Sequence, residues 1–103
     1  MAVILSKTLN GRLLKCKTCN KIHLEYKNLN FNFTKEALFS FTDYVARIDS
    51  TFWANENKES PYHRKVVIPI VKNDVNAMFH PHEIGELKIL LNIKIIKEAL
   101  LNV

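Results

Sequence analysis

Glycine is almost missing from this chain: 103 residues contain two, Gly11 and Gly85. A nucleotide cradle of the usual kind needs several glycines so that the backbone can close on the phosphates, and such a cradle is excluded. Proline is nearly as scarce, at three residues, while about half the chain is apolar, which argues against disorder. No stretch approaches the roughly 18–20 apolar residues of a membrane-spanning helix. The nearest lies toward the C-terminus, where Lys88, Lys94, Lys97 and Glu98 interrupt it. The opening MAVILSKTLNGR has no basic leading region, and its apolar run extends from Ala2 to Leu5, which is not the pattern of a secretory signal. The expectation is a cytoplasmic protein without a membrane segment. Carboxylates are few and scattered, and HExxH, GxSxG and glycine-rich phosphate motifs do not occur. The sequence makes no case for an enzyme.

Acidic residues are rarest in the first third. Residues 1–30 hold Lys7, Arg12, Lys15, Lys17, Lys21 and Lys27 against the single acid Glu25; six minus one equals the whole formal net charge of +5. A basic end of this kind suits an acidic partner, nucleic acid or protein. Arg12, Lys15, Lys17, Lys21 and Lys27 are the residues expected to meet it. Tyr26, Phe31 and Phe33 lie in the same region, but alternation places them on an apolar face, as core residues and not as a base-stacking platform.

The length suits one domain, residues 1–103. Residues 2–9 and 12–16 flank Asn10-Gly11, a hairpin signal in which both turn positions take positive φ. IHLEY (22–26) and LNFNF (29–33) alternate with period two, so residues 1–33 read as a basic four-strand meander. Thr34 is placed to cap a helix over 34–57, whose stripe is Leu38, Phe41, Val45, Ile48 and Phe52, with Phe39 and Trp53 off it. RKVVIPIV (64–71) and VNAMF (75–79) read as a hairpin over 64–80, turning at Lys72-Asn73-Asp74, with an edge or bulge at Pro69. Pro81 suits the first position of a last helix over 81–103, with His80 near its cap. That helix carries apolar residues around most of its circumference, up to Val103. Ile89, Ile93, Ile96 and Leu100 are therefore expected to pack against a second copy of the chain. Strands clustered before a helix indicate an α+β fold: an antiparallel sheet with two helices on one face.

The chemistry concentrates in CKTCNKIHL, residues 16–24, which contains both cysteines of the chain. Three readings compete for Cys16, Cys19 and His23. The first is a zinc site, with two thiolates at CxxC spacing in a turn, favoured as thiolates by Lys15, Lys17 and Lys21, and His23 as third ligand. His63, His80 and His82 are the candidates for a fourth within the chain, with another chain or solvent as the alternatives. The second is thiol redox or metal sensing, which such motifs perform at a helix N-terminus. Here the motif runs into a strand, so that dipole is expected to be absent. The third is a plain turn. For FHPHE (79–83), helix capping is favoured over chelation by His80 and His82. The leading expectation is a non-enzymatic binding or regulatory module with a zinc-stapled hairpin.

Several short motifs, Cys16-x-x-Cys19, His23-Leu24, Asn28-Leu29, RKVVIPI (64–70) and HEIGELKILL (82–91), resemble in their order a family of small uncharacterised bacterial proteins. The resemblance covers roughly residues 9–91. It implies no reaction. It does imply that the CxxC stretch with its following His-Leu distinguishes the family.

Overall fold

A computed structural model of the chain describes residues 2–71 and 74–101. The fold is α+β, as expected. Strands β1 (Ala2–Lys7), β2 (Gly11–Cys16), β3 (Ile22–Tyr26) and β4 (Leu29–Phe33) form an antiparallel meander in the order β1-β2-β3-β4. Alternation produces two unlike faces. Leu13 lies opposite Leu24, Leu24 opposite Phe31, and Ile22 opposite Phe33. Leu13, Ile22, Leu24 and Tyr26 are buried, while Phe31 and Phe33 stack beside Phe41 against the same core. The other face carries Arg12, His23, Glu25, Asn30 and Asn32.

The first hairpin forms, but not through the expected turn geometry. No glycine has positive φ. Gly11 already belongs to β2, opposite Tyr26, and the loop is closed by Thr8 N–H donating to the Gly11 carbonyl at 2.9 Å. Glycine is needed there for space. A Cβ at position 11 would stand 2.6 Å from the Glu25 carbonyl oxygen and 2.8 Å from Leu90 Cδ1. Positive φ occurs instead at Asn20 (53°) and Lys27 (52°), in the next two turns.

The helix expected over 34–57 is two helices, α1 (Lys35–Ala46) and α2 (Ser50–Glu56). Thr34 caps α1 as expected, its Oγ1 accepting from Ala37 N–H at 3.1 Å. Asp49 ends the run: its side chain accepts from Phe52 N–H at 3.1 Å and caps α2. An N-cap residue takes an extended backbone, so a strong capping residue inside an apolar stripe restarts the helix in a new direction. Leu38, Val45 and Ile48 are still buried, but Phe52 is exposed, and Phe39 and Trp53 pack on the core in spite of lying off the stripe.

Strands β5 (Val66–Val71) and β6 (Val75–Phe79) pair antiparallel, with the expected irregularity after Pro69. Of their connection, Lys72 and Asn73 lie outside the described residues, as does Val103 at the other end of the apolar spread.

The helix expected over 81–103 is likewise two, α3 (Pro81–Leu90) and α4 (Ile93–Leu101). Asn92 Oδ1 accepts from Lys94 N–H at 3.0 Å, which starts α4 on a new axis. The break disposes of the surplus apolar surface. Ile96 (0% exposed) and Leu100 (6%) enter the chain's own core, whereas Ile89 (65%) and Ile93 (43%) remain exposed. Two of the four residues expected at an interface between copies are therefore used internally. The main helical contacts with the meander are those of α3 with β2, α4 with β1 and α1 with β4. Ser6 Oγ donates to the Leu90 carbonyl across this contact at 2.6 Å.

Candidate metal and thiol site

The turn between β2 and β3 presents the two cysteines. Cys16 N–H donates to the Lys21 carbonyl at 3.0 Å, closing the loop, and Asn20 takes the left-handed conformation that asparagine tolerates. The strand register brings in His23. Leu14 lies opposite His23, so Cys16, two residues along β2, is a diagonal neighbour of His23 on the same polar face. The ligand atoms of Cys16, Cys19 and His23 all lie within 4.8 Å of one another. In the structure the two sulfurs are joined as a disulfide. Cys19 is exposed, and Cys16 is half-buried, its Sγ accepting from Cys19 N–H at 3.2 Å.

His23 is oriented by Asn32 across β3 and β4, through a close hydrogen bond between Nδ1 and the amide Oδ1. With the amide oxygen as acceptor, Nδ1 is the donor, and Nε2 is left for other contacts. A metal-ligating histidine is typically held by an outer hydrogen bond of this kind.

The expected fourth ligands do not join this cluster. Among the described residues it contains Cys16, Cys19 and His23, and His63, His80 and His82 are not part of it. His80 is the N-cap residue of α3, stacked on His82 with ring centroids 5.3 Å apart. This end of α3 docks at Tyr26 and Lys27, at the opposite end of β3 from the cysteines. The four steps from Ile22 to Tyr26, at about 3.3 Å each, put the two ends of that strand roughly 13 Å apart. His80 holds the N-cap position of α3, and its backbone N–H donates to Glu83 Oε1 at 2.7 Å.

The motif runs into β3, as expected, and the start of α1 shares a cleft with the cysteines. Cys16 and Cys19 line a cleft of about 580 Å³ together with Thr34, Lys35 and Glu36, the start of α1. The sequence conceals this because residues 34–36 are distant along the chain. The register reveals it: Cys16 stands beside Lys21, and Ile22 opposite Phe33, so the strand that leads into α1 ends next to the cysteine turn. Lys15, Lys21 and Lys35 line the same cleft, with Leu100 of α4 as its apolar floor. Lys35 was not among the expected basic residues.

The basic residues divide into two groups. Arg12 pairs with Glu25 at 2.5 Å, and Lys27 with Glu83 at 2.5 Å, so these two are neutralised within the chain. Lys15 Nζ donates to the Ala99 carbonyl at 3.3 Å. Lys17 and Lys21 are exposed and have no ion-pair partner among the described residues.

At the far end of the sheet, Glu83 is 1% exposed and accepts from Lys27, from Arg64 Nε at 3.1 Å and from His80 N–H. Burial alone would raise its pKa. The hydrogen bonds from Lys27, His80 and Arg64 outweigh burial and bring it down to about 2. One turn on, burial also opposes ionisation of Glu86, but hydrogen bonds, among them those from Asn10 and Tyr26, hold its pKa at about 2. Burial and the neighbouring Glu86 carboxylate in turn keep the Tyr26 phenol protonated. These two glutamates clamp α3 to the meander.

No curated protein and no solved structure matches this chain. A family of unknown function does match, and the match extends over residues 1–103, beyond the stretch that carries the sequence resemblance at both ends. The chain belongs to that family, DUF6686.

Proposed function

We propose that this protein is a small binding module, not a catalyst, in which Cys16 and Cys19 as thiolates and His23 hold one thiophilic metal ion, zinc being the first choice. The observation that carries the reading is the convergence of three ligand atoms within 4.8 Å from two adjacent strands and the turn that joins them. Zinc takes thiolate and imidazole donors in a four-coordinate shell, so three protein ligands leave one position for solvent or for a partner's group. The ion needs the thiolates, so it binds the reduced chain, and it would staple the β2–β3 turn. Lys15, Lys17, Lys21 and Lys35 around the same end support an acidic partner, nucleic acid or protein.

Native mass spectrometry of protein prepared under reducing conditions, without a chelating tag, tests the metal. One zinc per chain is expected, lost on Cys16→Ser. The disulfide favours a second reading, thiol redox. Metal-free protein whose two thiols cycle reversibly would leave that reading alone. For the partner, retention on heparin at physiological salt is expected, and passage straight through would remove nucleic acid.

A further inference from the structure

The sulfurs that would hold the metal are the ones that form the disulfide, and one atom pair cannot do both. The cleft beside them has a definite chemistry. Its volume, about 580 Å³, lies within the range of small-molecule sites. Among the described residues, Lys15, Lys21 and Lys35 line it together with one acid, Glu36. We infer that the site is a metal centre discharged by oxidation, and that the cleft admits a small anionic disulfide as the oxidant. This deepens the metal reading and rests on it.

The reaction balances as a thiol–disulfide exchange. Cys19 Sγ, the exposed sulfur, attacks one sulfur of the incoming disulfide; that S–S bond breaks, a thiolate leaves and a mixed disulfide forms. Cys16 Sγ, held next to it by the Cys19 N–H contact, then attacks Cys19 Sγ and expels the second thiolate. The two cysteine thiolates lose two electrons in all. The reagent gains them, takes up two protons from water and departs as two thiols. The metal ion keeps its charge and is released, because its sulfur ligands no longer exist as thiolates. Lys21 and Lys35 contribute by raising the local concentration of an anionic reagent, which makes the selectivity dependent on ionic strength.

Zinc-loaded, reduced full-length protein is mixed with oxidised glutathione, an anionic disulfide, or with cystamine, a cationic one. Zinc release is followed with a chromogenic indicator, and the Cys16–Cys19 bond by intact mass. The rate ratio of oxidised glutathione to cystamine is expected to be about ten-fold higher at low salt than at about 1 M salt, where charge selection is screened. In the Lys21→Glu/Lys35→Glu double variant the low-salt ratio should fall, a comparison that cancels the intrinsic reactivity of the two reagents. Zinc retained while the disulfide forms, or release without the disulfide, overturns the switch. A ratio unmoved by salt, or unmoved by the double variant, overturns the anionic cleft. Reduced protein that binds no zinc at the outset refutes the metal reading itself, and the switch with it; the mass measurement still decides whether the cleft selects by charge.

Discussion

Replacing Glu83 with glutamine keeps the size of the side chain and removes its charge. The carboxylate receives three donors, Lys27 Nζ, Arg64 Nε and His80 N–H, and is 1% exposed. Breaking a buried ion pair costs about 3–5 kcal/mol when the stranded partner stays buried. Here the side chains of Lys27 and Arg64 are 37% and 45% exposed and can rehydrate. The expected loss is therefore lower, about 2–3 kcal/mol. At ~4–8 °C per kcal/mol for a domain near this size, Tm should fall by roughly 10–20 °C. The exposed Arg12–Glu25 pair is the internal control: Glu25→Gln should cost no more than about 1 kcal/mol. Urea unfolding followed by Trp53 fluorescence measures both. The pH dependence gives a second readout. The ordinary pKa of Glu83 is 4.5, and folding lowers it to about 2. The unfolded chain therefore takes up the proton first. The stabilisation is complete above the unfolded value and is lost as pH falls through the folded one. Wild-type stability should drop between pH 4.5 and 2, and the Glu83→Gln variant should show less of that drop. Equal stabilities for Glu83→Gln and Glu25→Gln, or the same acid profile in wild type and variant, would refute the clamp.

Other substitutions test the remaining structural claims. Gly11→Ala forces a Cβ onto the Glu25 carbonyl oxygen and should cost about 1–3 kcal/mol, with wild-type stability counting against the close approach. Ile96→Ala should cost about 2–5 kcal/mol, since the side chain is buried in its own chain. Ile89→Ala, at an exposed position, should stay within about 0.5 kcal/mol, and equal losses for the two would undo the placement of α4. Asp49→Ala should cost about 0.5–2 kcal/mol with a fall in helical circular dichroism; no change in either would mean that the cap does not set the break between α1 and α2.

Legibility differed from element to element. The strands were readable because period-two alternation in IHLEY and LNFNF has one solution when one face must be buried. The helical regions were readable too, but not their breaks. Asp49 and Asn92 are weak signals inside apolar periodicity, and whether each caps a new helix depends on where the core requires the chain to turn. The same applies to Gly11. A turn signal and a spacing requirement look alike in sequence, and the neighbouring atoms, Glu25 O and Leu90 Cδ1, reveal which one applies.

The candidate site shows the same division. Sequence alone determined that both cysteines sit at one strand connection, that the following segment is a strand, and that His23 lies on its polar face. All three follow from local spacing and alternation. Tertiary structure decided what surrounds them. Antiparallel pairing brings the start of α1, with Lys35 and Glu36, to the cysteines, and directs His80 and His82 to the other end of the sheet. Strand register converts residues distant along the chain into neighbours, and no local pattern records it. CKTCNKIHL thus supplies two sulfurs and an imidazole, while the fold adds the charged cleft beside them.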